Sequence, residues 1–186
     1  MNDVMLDLET MGTSPRAAII AIGAVAFDLE TGELGDTFYS VVDLNSSIEA
    51  GGIVDASTIL WWMGQSEAAR LAILNPDSPG GWLLRNALGR FNVWMGQFEY
   101  KSVKLWGNGA GFDNVILRSA YEMTKTHVPW MHYNDRCYRT AKALLPTVRV
   151  EREGVHHNAL DDAVYQAKVL IEAEKIRVRR DESCGF

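Results

Sequence analysis

The chain has 186 residues, a net charge of −6, and hydrophobic and charged fractions of 47% and 23%. These values predict one globular domain, which we place at residues 1–178, followed by a flexible charged tail at residues 179–186. The sequence has neither an apolar run of eighteen residues nor a basic segment before a long apolar one. We therefore expect no membrane helix and no secretory signal. The two cysteines, Cys137 and Cys184, lack a metal-like spacing, and we expect a reducing, cytoplasmic location.

The acidic charge bears on the partners that the chain can have. Proteins that bind phosphate groups through their surface are usually basic, so a charge of −6 argues against such binding. Divalent cations held by carboxylates would supply local positive charge, however, and the net charge alone does not exclude nucleic acid. The six tryptophans are many for this length; most should be core residues, and one or two can stack on bases.

Three strands are predicted in the first quarter of the chain. Residues 4–8 form a short apolar run, residues 17–27 are rich in Ile and Val, and residues 34–42 follow a polar hairpin loop. Such closely spaced strands predict an antiparallel meander. The polar residues 45–52 are predicted to form a loop.

Helices and short strands are predicted to alternate in the rest of the chain. The predicted helices cover residues 55–64, 66–74, 82–100, 112–123, 135–145 and 158–177, and the predicted strands cover residues 103–106 and 130–132. Residues 75–81 (NPDSPGG) are predicted to be a turn-rich linker within the domain. This order predicts an α/β fold, in which helices pack on a mixed sheet.

Two carboxylates interrupt the first apolar run in strict alternation. Residues two apart on a strand point to the same face, so Asp7 and Glu9 should stand side by side, with α-carbons roughly 7 Å apart. Two adjacent like charges on an apolar strand are unfavourable unless a cation lies between them. The alternative is an edge strand whose polar face is in water.

Later segments supply two more carboxylates and a histidine. Asp113 follows a glycine-rich strand exit and begins a helix, whereas Asp162 lies in the first turns of the last helix, just after His157. Each has a structural explanation alone: a helix cap, an acidic first turn or a structural histidine. Together with Asp7 and Glu9, however, they suit a pair of Mg²⁺ or Mn²⁺ ions, with His157 placed to deprotonate an attacking water.

Three ordered motifs now resemble a known family. Residues 7–12 (DLETMG) fit Asp-x-Glu-Thr-x-Gly, residues 108–113 (NGAGFD) fit an aspartate after an Asn/Gly-x-x-Phe run, and residues 157–162 (HNALDD) fit His-x-Ala-x-x-Asp. The chain resembles the DEDD 3′–5′ exonucleases, in the histidine-containing DEDDh branch, over about residues 4–170. Within that branch it is most similar to small phage exonuclease A-like enzymes and mycobacterial exoribonucleases.

The resemblance implies a fold and a set of roles. The fold would be RNase H-like (DnaQ-like), with a mixed five-stranded sheet flanked by helices. The residues that would bind the two metal ions are Asp7, Glu9, Asp113 and Asp162. His157 would be the general base, and Glu9 would also orient the nucleophilic water or share a metal.

The register of the last motif decides between neighbouring residues. His157, rather than the adjacent His156, has the family spacing to Asp162. Asp161 is one residue out of register, and one helical residue is a rotation of about 100°, so Asp161 should point away from the metals.

The resemblance also implies a pocket for the 3′-terminal nucleotide. Thr10, Met11 and Gly12 would contribute to it through backbone contacts and packing. In the subgroup that residues 57–64 (STILWWMG) resemble, the paired tryptophans lie near this pocket. Trp61 and Trp62 can therefore either pack in the core or line the substrate groove. Further groove candidates are Asn108, Phe112 and Asn114.

These implications give an expected activity. The chain would hydrolyse single-stranded DNA or RNA with a free 3′ end, with two Mg²⁺ or Mn²⁺ ions, and release nucleoside 5′-monophosphates. Two alternatives stay open: a non-catalytic module that binds 3′ ends, and an oligoribonuclease-like enzyme acting on very short oligonucleotides. A homodimer is also an open alternative, because related small exonucleases often form dimers. The sequence does not distinguish DNA from RNA.

Overall fold

The computed structural model describes residues 1–74 and 81–184. In this part of the chain, five strands form one mixed sheet in the order β3-β2-β1-β4-β5. The strands are β1 (Asp3–Thr10), β2 (Ile19–Phe27), β3 (Leu34–Val41), β4 (Lys104–Gly107) and β5 (Asp135–Cys137). β1 and β3 run antiparallel to β2, whereas β4 pairs in parallel with both β1 and β5. The predicted α/β fold with a mixed five-stranded sheet is confirmed.

Helices cover both faces of this sheet. They are α1 (Leu44–Glu49), α2 (Ala56–Met63), α3 (Glu67–Leu74), α4 (Leu84–Met95), α5 (Asp113–Thr124), α6 (Tyr138–Leu144) and α7 (Ala159–Cys184), with a 3₁₀ turn at His132–Asn134. Every residue of β1 and β2 is buried, as expected for central strands covered on both sides. No helix in the described ranges is both long and apolar enough to cross a bilayer.

The two faces of β1 belong to different core layers. Val4, Leu6 and Leu8 pack in the layer that includes α4 and α5, whereas Met5 packs in the layer that includes α7. Because side chains alternate along a strand, Asp7 and Glu9 lie on the same face as Met5. The start of α7 therefore lies over the two carboxylates.

The prediction for residues 130–145 is wrong in part. The fifth strand is not residues 130–132 but Asp135–Cys137, where a helix was predicted to begin, and α6 begins only at Tyr138. Asp135 lies opposite Leu105 of β4 and accepts a hydrogen bond from Trp130 Nε1 at 2.7 Å. This tertiary pairing outweighs the local preference for a helix.

Helix boundaries also differ from the predictions. Residues 45–52 were predicted to be a loop, but α1 forms there, and the Asp43 side chain caps it by accepting a hydrogen bond from Ser46 N at 2.7 Å. The helix predicted at residues 82–100 ends earlier, at a C-cap on Gly96. α7 continues to Cys184, past the predicted end at residue 177. Residues 75–80 of the predicted linker lie outside the described residues.

Candidate active site

A cleft of about 810 Å³ opens at the carboxyl end of β1. The last residues of β1 form its floor, and α2, α6, α7 and the loops before α5 and α7 form its walls. Among its lining residues are all five side chains of the predicted constellation: Asp7, Glu9, Asp113, His157 and Asp162. The fold therefore brings together residues that are up to 155 positions apart in the sequence, from 7 to 162.

Three carboxylates meet closely at the floor of the cleft. Asp7, Glu9 and Asp162 each offer an oxygen, and these atoms lie within 4.8 Å of one another. Asp113 approaches β1 from α5, and its Oδ1 accepts a hydrogen bond from Leu8 N at 3.3 Å. The structure therefore brings two residues of β1 together with residues at the start of α5 and α7, as predicted.

Burial and mutual repulsion disfavour the charged forms of these carboxylates. Burial, with the Asp113 charge, raises the pKa of Glu9 to about 8. Burial also raises the pKa of Asp113 to about 7, although hydrogen bonds such as that from Leu8 N oppose the rise. The pKa of Asp7 lies well above its usual range because of burial and of the Asp113 and Glu9 charges. A bound cation would oppose this repulsion and would favour the charged forms of the carboxylates.

Two oxygens of this group are buried without a hydrogen-bond donor in the described part of the protein. They are Glu9 Oε1 and Asp113 Oδ2. Buried carboxylate oxygens without a donor are unfavourable, and hard divalent cations bind to such oxygens. The donor set therefore fits Mg²⁺ or Mn²⁺, with Asp7, Glu9, Asp113 and Asp162 as the residues that would hold the ions.

His157 stands at the rim of the carboxylate group. A second potential ligand cluster consists of His156, His157 and Asp162, again with ligand atoms within 4.8 Å of one another. His157 has a φ of 64°, a left-handed conformation that is uncommon for a residue with a side chain. Burial lowers the pKa of His157, and the charges of His156 and Arg152 lower it further. The imidazole is therefore neutral near pH 7, the form that accepts a proton.

Asp161 points away from this group, as its register predicts. Its Oδ2 accepts a hydrogen bond from Val155 N at 2.7 Å, which ties the loop before α7 to the helix. Gly154, with a φ of +79°, lies against the same carboxylate, and a Cβ there would overlap it. Asp161 therefore holds the loop that carries His157.

Most of the predicted substrate-binding residues line the cleft. Thr10, Gly12, Asn108 and Phe112 are among its lining residues. Met11 is not; its side chain packs beside the separate apolar cluster of Ile20, Trp62 and Ala69. Asn114, the other groove candidate, is fully buried and donates from Nδ2 to Leu105 O at 2.9 Å, so it ties α5 to β4.

The two tryptophans have different environments. Trp62 is only 4% exposed, packs in that cluster, and donates from Nε1 to Thr10 O at 3.0 Å, although it also borders the cleft. Trp61 is 45% exposed, and its ring meets the His157 ring edge-on at a centroid distance of 4.8 Å. Trp62 therefore supports the end of β1, and Trp61 presents most of the indole surface at the cleft.

Sequence reasoning missed three residues that shape the site. Gln166 Nε2 donates to Asp7 Oδ1 at 2.8 Å, and Arg152 pairs with the Asp162 carboxylate. Gly23 lies opposite Asp7 in the β1–β2 ladder and allows the backbone at the start of α7 to approach β2. The spacing of four between Asp162 and Gln166, which places them on one helix face, was the available signal for the glutamine.

Converging carboxylates from β1, α5 and α7, with a histidine before α7, define a DEDDh-type 3′–5′ exonuclease. Residues 2–173 match the family described as the 3′-5′ exoribonuclease Rv2179c-like domain, and the chain belongs to this family. Over 127 residues it is 32% identical to an exodeoxyribonuclease of Enterobacteria phage T4. That match covers 63% of this chain and 54% of the phage protein, so the chain spans about half the length of this relative.

Solved nuclease structures share the fold at low sequence identity. The nuclease domain of 3′hExo, a DEDDh family member bound to rAMP, is 17% identical with a TM-score of 0.62, over 96% of this chain and 92% of that chain. Cell-death related nuclease 4 is 13% identical with a TM-score of 0.62, over 94% of this chain and 64% of that chain. A zinc-bound E. coli exonuclease I–ssDNA complex is 12% identical with a TM-score of 0.59, over 96% and 41%. These similarities confirm the predicted RNase H-like fold, and the DEDDh family is dependent on divalent metals.

Proposed function

We propose that this chain hydrolyses single-stranded nucleic acid stepwise from its 3′ end, releases nucleoside 5′-monophosphates, and uses two Mg²⁺ or Mn²⁺ ions. The observation that carries the proposal is the meeting of Asp7, Glu9, Asp113 and Asp162 beside His157 in an open cleft. Membership of the exoribonuclease family supports the same direction of attack.

The chain's own residues would divide the work of hydrolysis. Bound divalent cations would lower the pKa of a coordinated water and neutralise charge on the leaving oxygen. The Gln166 amide donates to Asp7 Oδ1 and would hold this carboxylate in position to bind a metal ion. Glu9 would orient the attacking water. His157 would accept the proton of that water as its oxygen bonds to phosphorus, while the bond from phosphorus to the 3′ oxygen breaks.

The end of β1 would receive the terminal nucleotide. Thr10 Oγ1 donates to Gly12 O at 2.7 Å, which fixes the turn that leaves the strand. The exposed ring of Trp61 offers an aromatic surface beside this turn, and Phe112 borders the cleft near Asp113. Base stacking on aromatic rings tolerates every base, as an enzyme that removes successive nucleotides requires.

The sugar preference is a separate question. The family is described as exoribonucleases and the phage relative as an exodeoxyribonuclease, so these names point in different directions. We propose activity on single strands of both kinds. A non-catalytic end-binding module is disfavoured because all five residues of the constellation are present. The homodimer and the cytoplasmic location stay predictions.

The decisive experiment is digestion of matched, 5′-labelled strands. Single-stranded DNA, single-stranded RNA and a duplex with a 3′ overhang are incubated with the protein and Mn²⁺. The expected result is a ladder that shortens from the 3′ end, with Asp7→Ala and His157→Ala each slowing cleavage by about 10²-fold or more. Asp36→Asn, which changes an exposed carboxylate on β3 outside the cleft, would serve as the matched control.

Two results would contradict the proposal in whole or in part. If no strand is shortened by the wild-type protein, the proposed function is wrong and the binding-module alternative stands. If His157→Ala digests strands at the wild-type rate, the general-base assignment fails while the metal-dependent nuclease is retained.

A further inference from the structure

One wall of the cleft is basic and has no role in the site described above. Arg139 and Lys142 lie three residues apart on α6, so they share one face of that helix, and both line the cleft. Both side chains are exposed, and neither forms an ion pair within the described residues. We call this pair the α6 wall.

The α6 wall is joined to the catalytic floor by a loop that exposes mainly backbone. Gly107 ends β4, and Gly109 and Gly111 follow it in the loop before α5. A Cβ on Gly109 would lie 3.9 Å from the Arg139 guanidinium carbon, and a Cβ on Gly111 would contact nothing within 4 Å. The Cβ added on Gly109 would also lie 3.8 Å from Phe112 Cβ, so the loop before α5 brings Phe112 and the Arg139 guanidinium close together at the cleft.

Sheet order separates the α6 wall from the end that would bind the terminal nucleotide. Trp62 packs beside Ile20 of β2, so α2 and Trp61 lie on the β2 side of β1. α6 follows β5, the edge strand on the opposite side of the sheet. A strand whose last base rests beside Trp61 and whose scissile phosphate lies over Asp7 would reach the α6 wall with its preceding nucleotides.

The positive charge of the α6 wall indicates that its ligand is a polyanion. The chain carries −6 overall, and its cleft floor is acidic, so exposed cations beside that floor are the local attraction for a polyanion. Lys142 Nζ lies 5.7 Å from the centroid of the buried Tyr138 ring, a cation–π contact that holds the ammonium group near the wall. Arginine and lysine are the residues that contact backbone phosphates without reading bases.

We propose that Arg139 and Lys142 form a subsite for the backbone phosphates on the 5′ side of the scissile phosphate, so that the protein favours strands longer than a dinucleotide. This inference rests on the proposed function and names its substrate class: an extended single strand rather than the very short oligonucleotide of the alternative. The subsite reads no base and contributes through charge.

The test compares strand binding in charge-neutral variants. The dissociation constant of a 5′-labelled single strand of about ten nucleotides is measured by fluorescence anisotropy at several salt concentrations, with Ca²⁺ replacing Mg²⁺. A gel checks that the strand stays intact. Arg139→Gln combined with Lys142→Gln should weaken binding about tenfold and reduce the slope of log Kd against log salt by about 0.7 for each lost phosphate contact. Arg85→Gln, an exposed α4 residue outside the cleft, is the matched control and should leave both unchanged.

Kinetics provide the second readout. The double variant should raise KM more for the longer strand than for a dinucleotide. If the wild-type protein shortens strands but the double variant keeps the wild-type Kd, salt slope and KM ratio, the subsite is refuted and the proposed function survives. If the wild-type protein shortens no strand, the proposed function itself fails.

Discussion

The packing of α7 against Gly23 determines the position of the proposed metal ligand Asp162. Gly23 lies opposite Asp7 in the β1–β2 ladder, and the backbone of Ala159 and Leu160 packs directly on its Cα. A Cβ added at position 23 would lie closer than 3.0 Å to those backbone atoms, a separation that folded proteins essentially never show. Gly23→Ala must therefore push the start of α7 away from β2.

The size of the effect follows from this overlap. Ordinary contact begins at about 3.4 Å, so the two backbones must separate until that distance is reached. Overpacking of this kind costs about 1–3 kcal/mol of unfolding free energy, which lowers Tm by roughly 2–4 °C per kcal/mol at this chain length. The displaced helix carries Asp162 with it, and a misplacement of about 1 Å at a reacting site costs about 10²-fold in rate.

The assay measures three properties of Gly23→Ala: Tm, Mn²⁺ affinity by calorimetry, and the rate of strand shortening. The matched control is Gly89→Ala in α4, where a Cβ would meet nothing within 4 Å. The control should keep its activity, and its free energy of unfolding should rise by about 0.5–1 kcal/mol because glycine is unfavourable inside a helix. A Gly23→Ala protein with wild-type metal affinity and rate would refute the argument that this contact sets the position of Asp162.

Two further predictions concern metal binding. Arg152→Gln should tighten Mn²⁺ binding by about fivefold, because the guanidinium that pairs with Asp162 would no longer compete with the cation. Arg152→Lys keeps the positive charge and should not tighten binding. Both affinities are measured by calorimetry, and weaker Mn²⁺ binding by Arg152→Gln would contradict the prediction. The raised pKa values of Glu9, about 8, and Asp113, about 7, mean that the folded state binds their protons more tightly than the unfolded state. With EDTA, the free energy of unfolding should therefore fall as pH rises from about 5 to about 8. Mg²⁺ at about 100 times its Kd should restore about 2.7 kcal/mol of this free energy, most fully at the upper end of that pH range. Thermal melts test this, and a stability that rises over that window with EDTA would contradict it.

The parts of the site that the sequence revealed are those with a fixed local period. Alternation on β1 placed Asp7 and Glu9 on one face, and helical rotation separated Asp161 from Asp162; the structure has both arrangements. Both follow from backbone geometry alone, which one chain segment determines for itself.

What the sequence did not reveal depends on contacts between distant segments. β5 is only three residues long, and its pairing with β4 is stabilised at Asp135, which accepts hydrogen bonds from Asn114 and Trp130. The close approach of α7 to Gly23 likewise involves residues more than a hundred positions apart. The different burial of Trp61 and Trp62 depends on how α2 rests against β2, which no local pattern encodes.

The most direct test of the account is anomalous diffraction from a crystal of this protein soaked in Mn²⁺ with a nucleoside 5′-monophosphate. The account predicts two peaks, roughly 3.5–4 Å apart, coordinated by Asp7, Glu9, Asp113 and Asp162. A single peak held by His156, His157 and Asp162, or no peak in the cleft, would contradict the claim that these four carboxylates form a two-metal nuclease site.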